Sequence, residues 1–190
     1  GGATAARNGG STTSPGGGGG AGFYSSNGSP FFQDCIFDLN IATVGPGGGL
    51  HAVGGGSVNL ENCLFESNIA ELHGGGFAIS TEAEGNTNWT TFHENISYLG
   101  GGGVGVIDGL VKMINSNCTG NRTSISSGFG GGLLVVEGTG TVENSLFQTN
   151  EAYYGGAFAQ LESGMITVAD TSVCGNLGGH ESGNVEYLGT

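Results

Sequence analysis

Two carboxylates, Asp38 and Glu66, each directly follow a phenylalanine and stand 28 residues apart, and His93 takes the same place after Phe92. Brought to neighbouring positions about 5 Å apart, Asp38 and Glu66 have three readings. They suit the acid–base pair of a polysaccharide hydrolase, a weak calcium site of hard oxygen ligands, or a solvated acidic face. Elimination chemistry of the lyase type needs a basic residue to take the proton. Beyond Arg7 the chain has only Lys112 and Arg122, and no such arrangement is visible. Cys35, Cys63, Cys118 and Cys174 show no C-x-x-C spacing, which leaves zinc and thioredoxin-type sites without support. Glycines 101–103 run on through Val104 to Gly109, but Ile107 stands where a calcium nonapeptide has already placed its Asp, and no Gly-Lys-Ser/Thr follows for phosphate. No cofactor is expected.

What could position these residues is a repeat. Phe-x-x-Asn recurs at Phe37…Asn40, Phe65…Asn68, Phe92…Asn95 and Phe147…Asn150, with weaker copies at Cys118…Asn121 and Val173…Asn176. Steps of 28, 27, 26, 29 and 26 residues separate the first members. A glycine cluster followed by an apolar residue keeps the same period, ending at Leu50, Phe77, Val104, Leu133 and Phe158. An earlier copy lies at Gly18–Ala21 and a decayed one at Ser182–Val185. Residues before each Phe-x-x-Asn alternate, as in Val58-Asn59-Leu60-Glu61, and so do those after the glycines. Alternation at period 2 predicts short half-buried strands. Each coil therefore has at least two strands separated by glycine turns, and stacking about 4.8 Å apart buries what one coil cannot. The expected fold is all-β, a right-handed parallel β-helix of six to seven coils with no capping helix.

Stacking creates columns. Phe37, Phe65, Phe92, Cys118, Phe147 and Val173 form an inward one, each buried Phe worth roughly 1.5–3 kcal/mol. Two residues earlier runs a column of small residues, Cys35, Cys63, Thr90, Ser116, Ser145 and Thr171. Asn40, Asn68, Asn95, Asn121, Asn150 and Asn176 form a third, an amide ladder that sets register, because a buried unpaired amide costs about 1–3 kcal/mol. Cys35 and Cys63 share a column at a separation a disulfide tolerates, although their parallel Cβ vectors make the bond awkward. Five N-glycosylation sequons begin at Asn27, Asn88, Asn95, Asn117 and Asn121. Asn95 and Asn121 are committed to the ladder, so Asn27, Asn88 and Asn117 are the candidate acceptors if the source is eukaryotic.

The 43 glycines carry no collagen period, and apolar residues recur regularly after Phe23, which argues against a disordered linker. Sixteen acids against three bases give a net charge of −13, with no footprint for nucleic acid and repulsion from anionic bilayers. No apolar run approaches the ~20 residues of a membrane helix. Residues 1–17 read as a Gly/Ser/Thr-rich N-terminal segment, with an inter-subunit role open to it, and residues 18–190 as the solenoid. Gly1–Ala5 and Val185–Leu188 both read as the opening strand of a further coil. Both ends thus look unfinished, which predicts head-to-tail self-association or continuation into a longer protein.

The paired elements, as in Asn62-Cys63-Leu64-Phe65-Glu66-Ser67-Asn68-Ile69-Ala70 followed by Gly74-Gly75-Gly76-Phe77, resemble the repeats of the chlamydial polymorphic outer-membrane proteins. The resemblance covers about residues 18–187. It implies an extracellular or cell-surface β-helical passenger or stalk, often adhesive; the family's barrel has no counterpart here. The expected function is structural or adhesive rather than enzymatic. A carbohydrate-active module using Asp38 and Glu66 is the alternative. Ice binding would need a regular Thr array, and the columns with Thr90 and Thr171 are interrupted.

Overall fold

The computed structural model describes residues 5–6, 22–180 and 185–188. The chain is an all-β parallel solenoid of about six turns, the strands of the described residues arranged in four sheets of seven, six, seven and six members. There is no helix among the described residues, and so none long and apolar enough to cross a membrane. Every strand pairs in parallel with its counterpart one repeat away, as Phe65 does with Phe37 on one side and Phe92 on the other.

A single turn shows how the sequence builds the rung. Ser57–Glu61 is the alternating strand, with Val58 and Leu60 inward. Leu64–Glu66 carries Phe65, Ile69–Ala70 follows the ladder asparagine, and Phe77–Ser80 follows the glycines. The rung thus has four strands, two of them so short that alternation cannot reveal them.

Each bend between strands holds a residue at positive φ: Asn62 at 50°, Ser67 at 54°, Gly74 at 66° and Thr81 at 54°. Gly74 meets the demand without strain, and Asn tolerates it. Glycine is required for a second reason at Gly102, where a Cβ would lie 2.6 Å from the carbonyl oxygens of Arg122 and Gly131. Rungs meet backbone to backbone at that corner.

The core is a stack of side-chain columns. Phe37 and Phe65 lie ring on ring, with centroids 4.4 Å apart and planes 5° from parallel, and Phe92 continues the stack at 4.9 Å. Leu50, Phe77, Val104, Leu133 and Phe158 face them from the sheet after the glycines. Volume is complementary: Gly85 faces Phe77 and Ile79, whose atoms already fill the space of its missing Cβ. Thr87 is the polar member of an inward column and bonds the Ser116 hydroxyl at 3.0 Å.

Three expectations change. Val173, placed with the phenylalanines, is 38% exposed, because its strand is the last described in its sheet and is covered from one side only. Ala5–Ala6 pairs with Ile36–Phe37 in the Phe sheet, not in the alternating sheet where Val185–Leu188 lies beside Ile166–Ala169. Cys35 and Cys63 are free thiols, not a disulfide. Gly1–Thr4, most of the segment 1–17, and the outlying glycine copies at 18–21 and 182–184 lie outside the described residues.

Candidate functional site

The Phe-x-x-Asn corner is one continuous hydrogen-bonded line. Asn40 Nδ2 donates to Asn68 Oδ1 at 2.8 Å, Asn68 to Asn95 at 2.9 Å, Asn95 to Asn121 and Asn121 to Asn150 at 3.0 Å, and Asn150 to Asn176 at 2.9 Å. From Asn68 to Asn176 each Nδ2 also donates back to the carbonyl of the Phe37–Phe147 column one rung earlier, as Asn95 does to Phe65 at 2.9 Å. Over the same span, Asn68 to Asn176, each Oδ1 accepts a backbone N–H besides, as Asn95 does from Asn68 at 3.0 Å. Both protons and both lone pairs of Asn95 are used, which is full capacity for a primary amide. The first five asparagines are fully buried, and Asn176 is half-buried.

A second line runs along the small-residue column, whose purpose the residue types alone do not show. Thr90, Ser116, Ser145 and Thr171 each donate a hydroxyl proton to the carbonyl two residues before, at 3.2, 2.9, 2.8 and 2.8 Å. Each hydroxyl oxygen accepts the backbone N–H of the preceding rung, as Ser145 does from Ser116 at 3.1 Å. Cys35 and Cys63 stand in for hydroxyls, their Sγ atoms directed at the carbonyls of Gln33 and Glu61. Both thiols are engaged by backbone carbonyls, Cys63 also reaching that of Phe32 on the preceding rung at 3.5 Å, and the two sulfurs are not bonded to each other. Burial pushes the Cys63 thiol up to about 11, with the neighbouring Cys35 adding to the rise, and burial raises Cys118 further still. Neither is a nucleophile at neutral pH.

The outward column after the aromatics places Asp38 directly opposite Glu66, and Glu66 opposite His93. The His93 ring bonds Thr119 Oγ1 at 2.9 Å, and its Nε2 lies 3.5 Å from the Glu94 carboxylate. Among the described residues no group of three or more His, Cys, Asp or Glu is placed to hold a metal. Asp38 and Glu66 supply two side chains toward the six to eight oxygens calcium takes.

The sequon residues differ in setting. Asn27 is exposed at a bend with φ 53°. Asn88 is half-buried, donates to Glu61 Oε2 at 3.0 Å, and is followed by a fully buried Thr90. Asn117 is half-buried in a three-residue strand between Thr91 and Leu146.

Other features emerge only in three dimensions. His73 is held down to about 4, by burial first and the nearby His51 second. Ser97 Oγ and Thr123 Oγ1, inward on neighbouring rungs, are buried without a hydrogen-bond partner among the described residues. Corresponding positions in the first two rungs are Ala42 and Ala70.

No protein-family model, curated protein or solved structure matches this chain.

Proposed function

We propose that this chain is a structural and adhesive β-solenoid of an extracellular surface, working by end-to-end association or as a segment of a longer repeat array, without catalytic activity. The observation that carries the reading is the unbroken translation of one rung. The same bends and the same amide ladder recur from Asn40 to Asn176, and the second line runs beside them with thiols at Cys35 and Cys63 and hydroxyls from Thr90 to Thr171. Two continuous polar lines inside a Phe-stacked core make a stiff rod, and any further rung is accommodated by the pairing already in use. The likeness of the Phe-x-x-Asn and glycine elements to chlamydial polymorphic outer-membrane repeats supports a surface location. So does a net charge of −13, which keeps such a rod soluble and off nucleic acid.

Sedimentation velocity over a wide concentration range, with negative-stain imaging of the same samples, tests the association. The expected result is concentration-dependent rods one solenoid wide. A monomer at every concentration would remove end-to-end association. Release of reducing ends from a polysaccharide panel, abolished by Asp38→Asn and Glu66→Gln, would replace the non-catalytic reading with the hydrolase one.

A further inference from the structure

We propose that the outer face of the alternating sheet binds a neutral glycan, with Trp89 as the ring on which a pyranose stacks. The proposal names a ligand class for the adhesive role above and rests on that reading.

It begins at a bend. The residues just before the hydroxyl ladder are Asp34, Asn62, Trp89, Asn115, Asn144 and Asp170, with φ values of 55°, 50°, 52°, 50°, 49° and 46°. Five of the six are Asp or Asn, the types that tolerate this left-handed region. The sixth is the chain's single tryptophan, and it is 59% exposed. A bulky aromatic is the wrong residue for the bend, and with most of its surface exposed its burial offsets little of the strain. Strain of this kind concentrates where a function uses the side chain.

The face beside that bend is built from amides. Asn59, Asn86 and Lys112 stand in one outward column, with Phe31 one rung before them, while Glu61 and Asn88 stand in the next. These six line a groove of about 160 Å³, and Trp89 follows Asn88 directly in the chain. Several of the polar heads are held in place: Asn86 donates to Ser57 Oγ at 3.1 Å, and Asn88 to Glu61 at 3.0 Å while accepting from Asn115 at 3.1 Å. The side-chain Oδ1 atoms of Asn59 and Asn86 have no partner among the described residues, whereas their Nδ2 groups are bonded.

An amide both donates and accepts, as a sugar hydroxyl does. Rungs about 4.8 Å apart address successive hydroxyls along an extended chain. An apolar partner would leave the amides buried and unpaired, which is costly. The net charge of −13 disfavours an acidic glycan, and Lys112 with an already bonded Glu61 disfavours a basic partner.

The test uses the full chain and its one tryptophan. Retention on insoluble cellulose, chitin, β-1,3-glucan, xylan and mannan is measured first. Trp89 emission is then followed while soluble oligosaccharides of the retained type are added. The expected result is retention on at least one neutral polymer and a saturable emission change. Trp89→Asn restores the residue type of the other bends, so it folds; its Tm rises by about 2–4 °C while affinity falls at least about tenfold. Asn86→Ala weakens binding without altering the emission of the free protein. Absence of retention and of any emission change across the panel overturns the proposal, as does undiminished binding by Trp89→Asn or binding confined to acidic polymers. Sedimentation without sugar reports on the rod reading separately, so the two fail independently.

Discussion

Replacing Asn95 by alanine interrupts the amide ladder at its middle, and the structure sets the size of the effect. The backbone N–H of Asn68 loses its acceptor at 3.0 Å, and one Asn68 Nδ2 proton loses its acceptor at 2.9 Å. The Phe65 carbonyl loses one donor at 2.9 Å but stays in the backbone ladder with Thr91–His93, and Asn121 Oδ1 keeps the backbone N–H of residue 95 at 3.0 Å. Two groups are therefore orphaned where Asn95 is 0% exposed. At about 1–3 kcal/mol each, with a water able to enter the space left behind, the loss comes to about 2–5 kcal/mol. Urea unfolding followed by far-ultraviolet circular dichroism and by Trp89 emission measures it against Asn59→Ala, an outward amide expected to stay within about 0.5 kcal/mol. Asn95→Asp sharpens the test. A carboxylate oxygen replacing Nδ2 faces two acceptors, so the folded state resists ionisation and the folded pKa lies above the unfolded one. The two forms are equally protonated at low pH, and the additional loss grows as pH rises above the unfolded carboxyl value of about 4. A loss below about 1 kcal/mol for Asn95→Ala, or one equal to that of Asn59→Ala, would refute the ladder as the source of register.

Other outcomes follow from the same rung. Ser97→Ala, matching Ala42 and Ala70 at the same column, removes an unpartnered buried hydroxyl and raises stability by about 1 kcal/mol, read as the urea midpoint. A thiol reagent at pH 8 modifies exposed Cys174 promptly and reaches buried Cys63 and Cys118 only on unfolding, followed by mass spectrometry. Gly102→Ala drives a Cβ into the carbonyls of Arg122 and Gly131 and is strongly destabilising. Gly55→Ala meets nothing within 4 Å and is neutral or stabilising by about 0.4–1 kcal/mol, and Tm separates the two. For His73 the unfolded ring protonates near 6.5 and the folded one near 4. Stability therefore declines as pH falls from 6.5 toward 4 and levels off below, and His73→Asn should flatten that slope in pH-dependent urea unfolding.

Some of this architecture was readable and some was hidden, for identifiable reasons. Phe65 and Asn68 announce themselves because a buried ring and a saturated amide each admit few residue types, so the types recur with the period. Ile69–Ala70 and Leu64–Glu66 are too short to show alternation, and the rung's four strands were read as at least two. Cys63 beside Thr90 and Ser116 looked merely small. Only the carbonyl two residues back reveals that the column is a ladder of donors, in which Cys35 and Cys63 take the place of hydroxyls. Asp34, Asn62, Asn115, Asn144 and Asp170 spell a left-handed bend in residue types that tolerate it, and Trp89 is conspicuous only against them.

By itself the chain determined its period, its inward columns and the parallel solenoid they require, since burial constrains residue type wherever a rung meets the core. Tertiary structure alone decided what lies outside: that Asn59, Asn86 and Lys112 share one outward column, that Asp38 opposes Glu66 on a different sheet, and that Val173 is covered from one side only among the described residues. Outward positions face water, where many residue types are equally stable, so their composition records no neighbour until the rungs, some 27 residues apart in sequence, are set side by side.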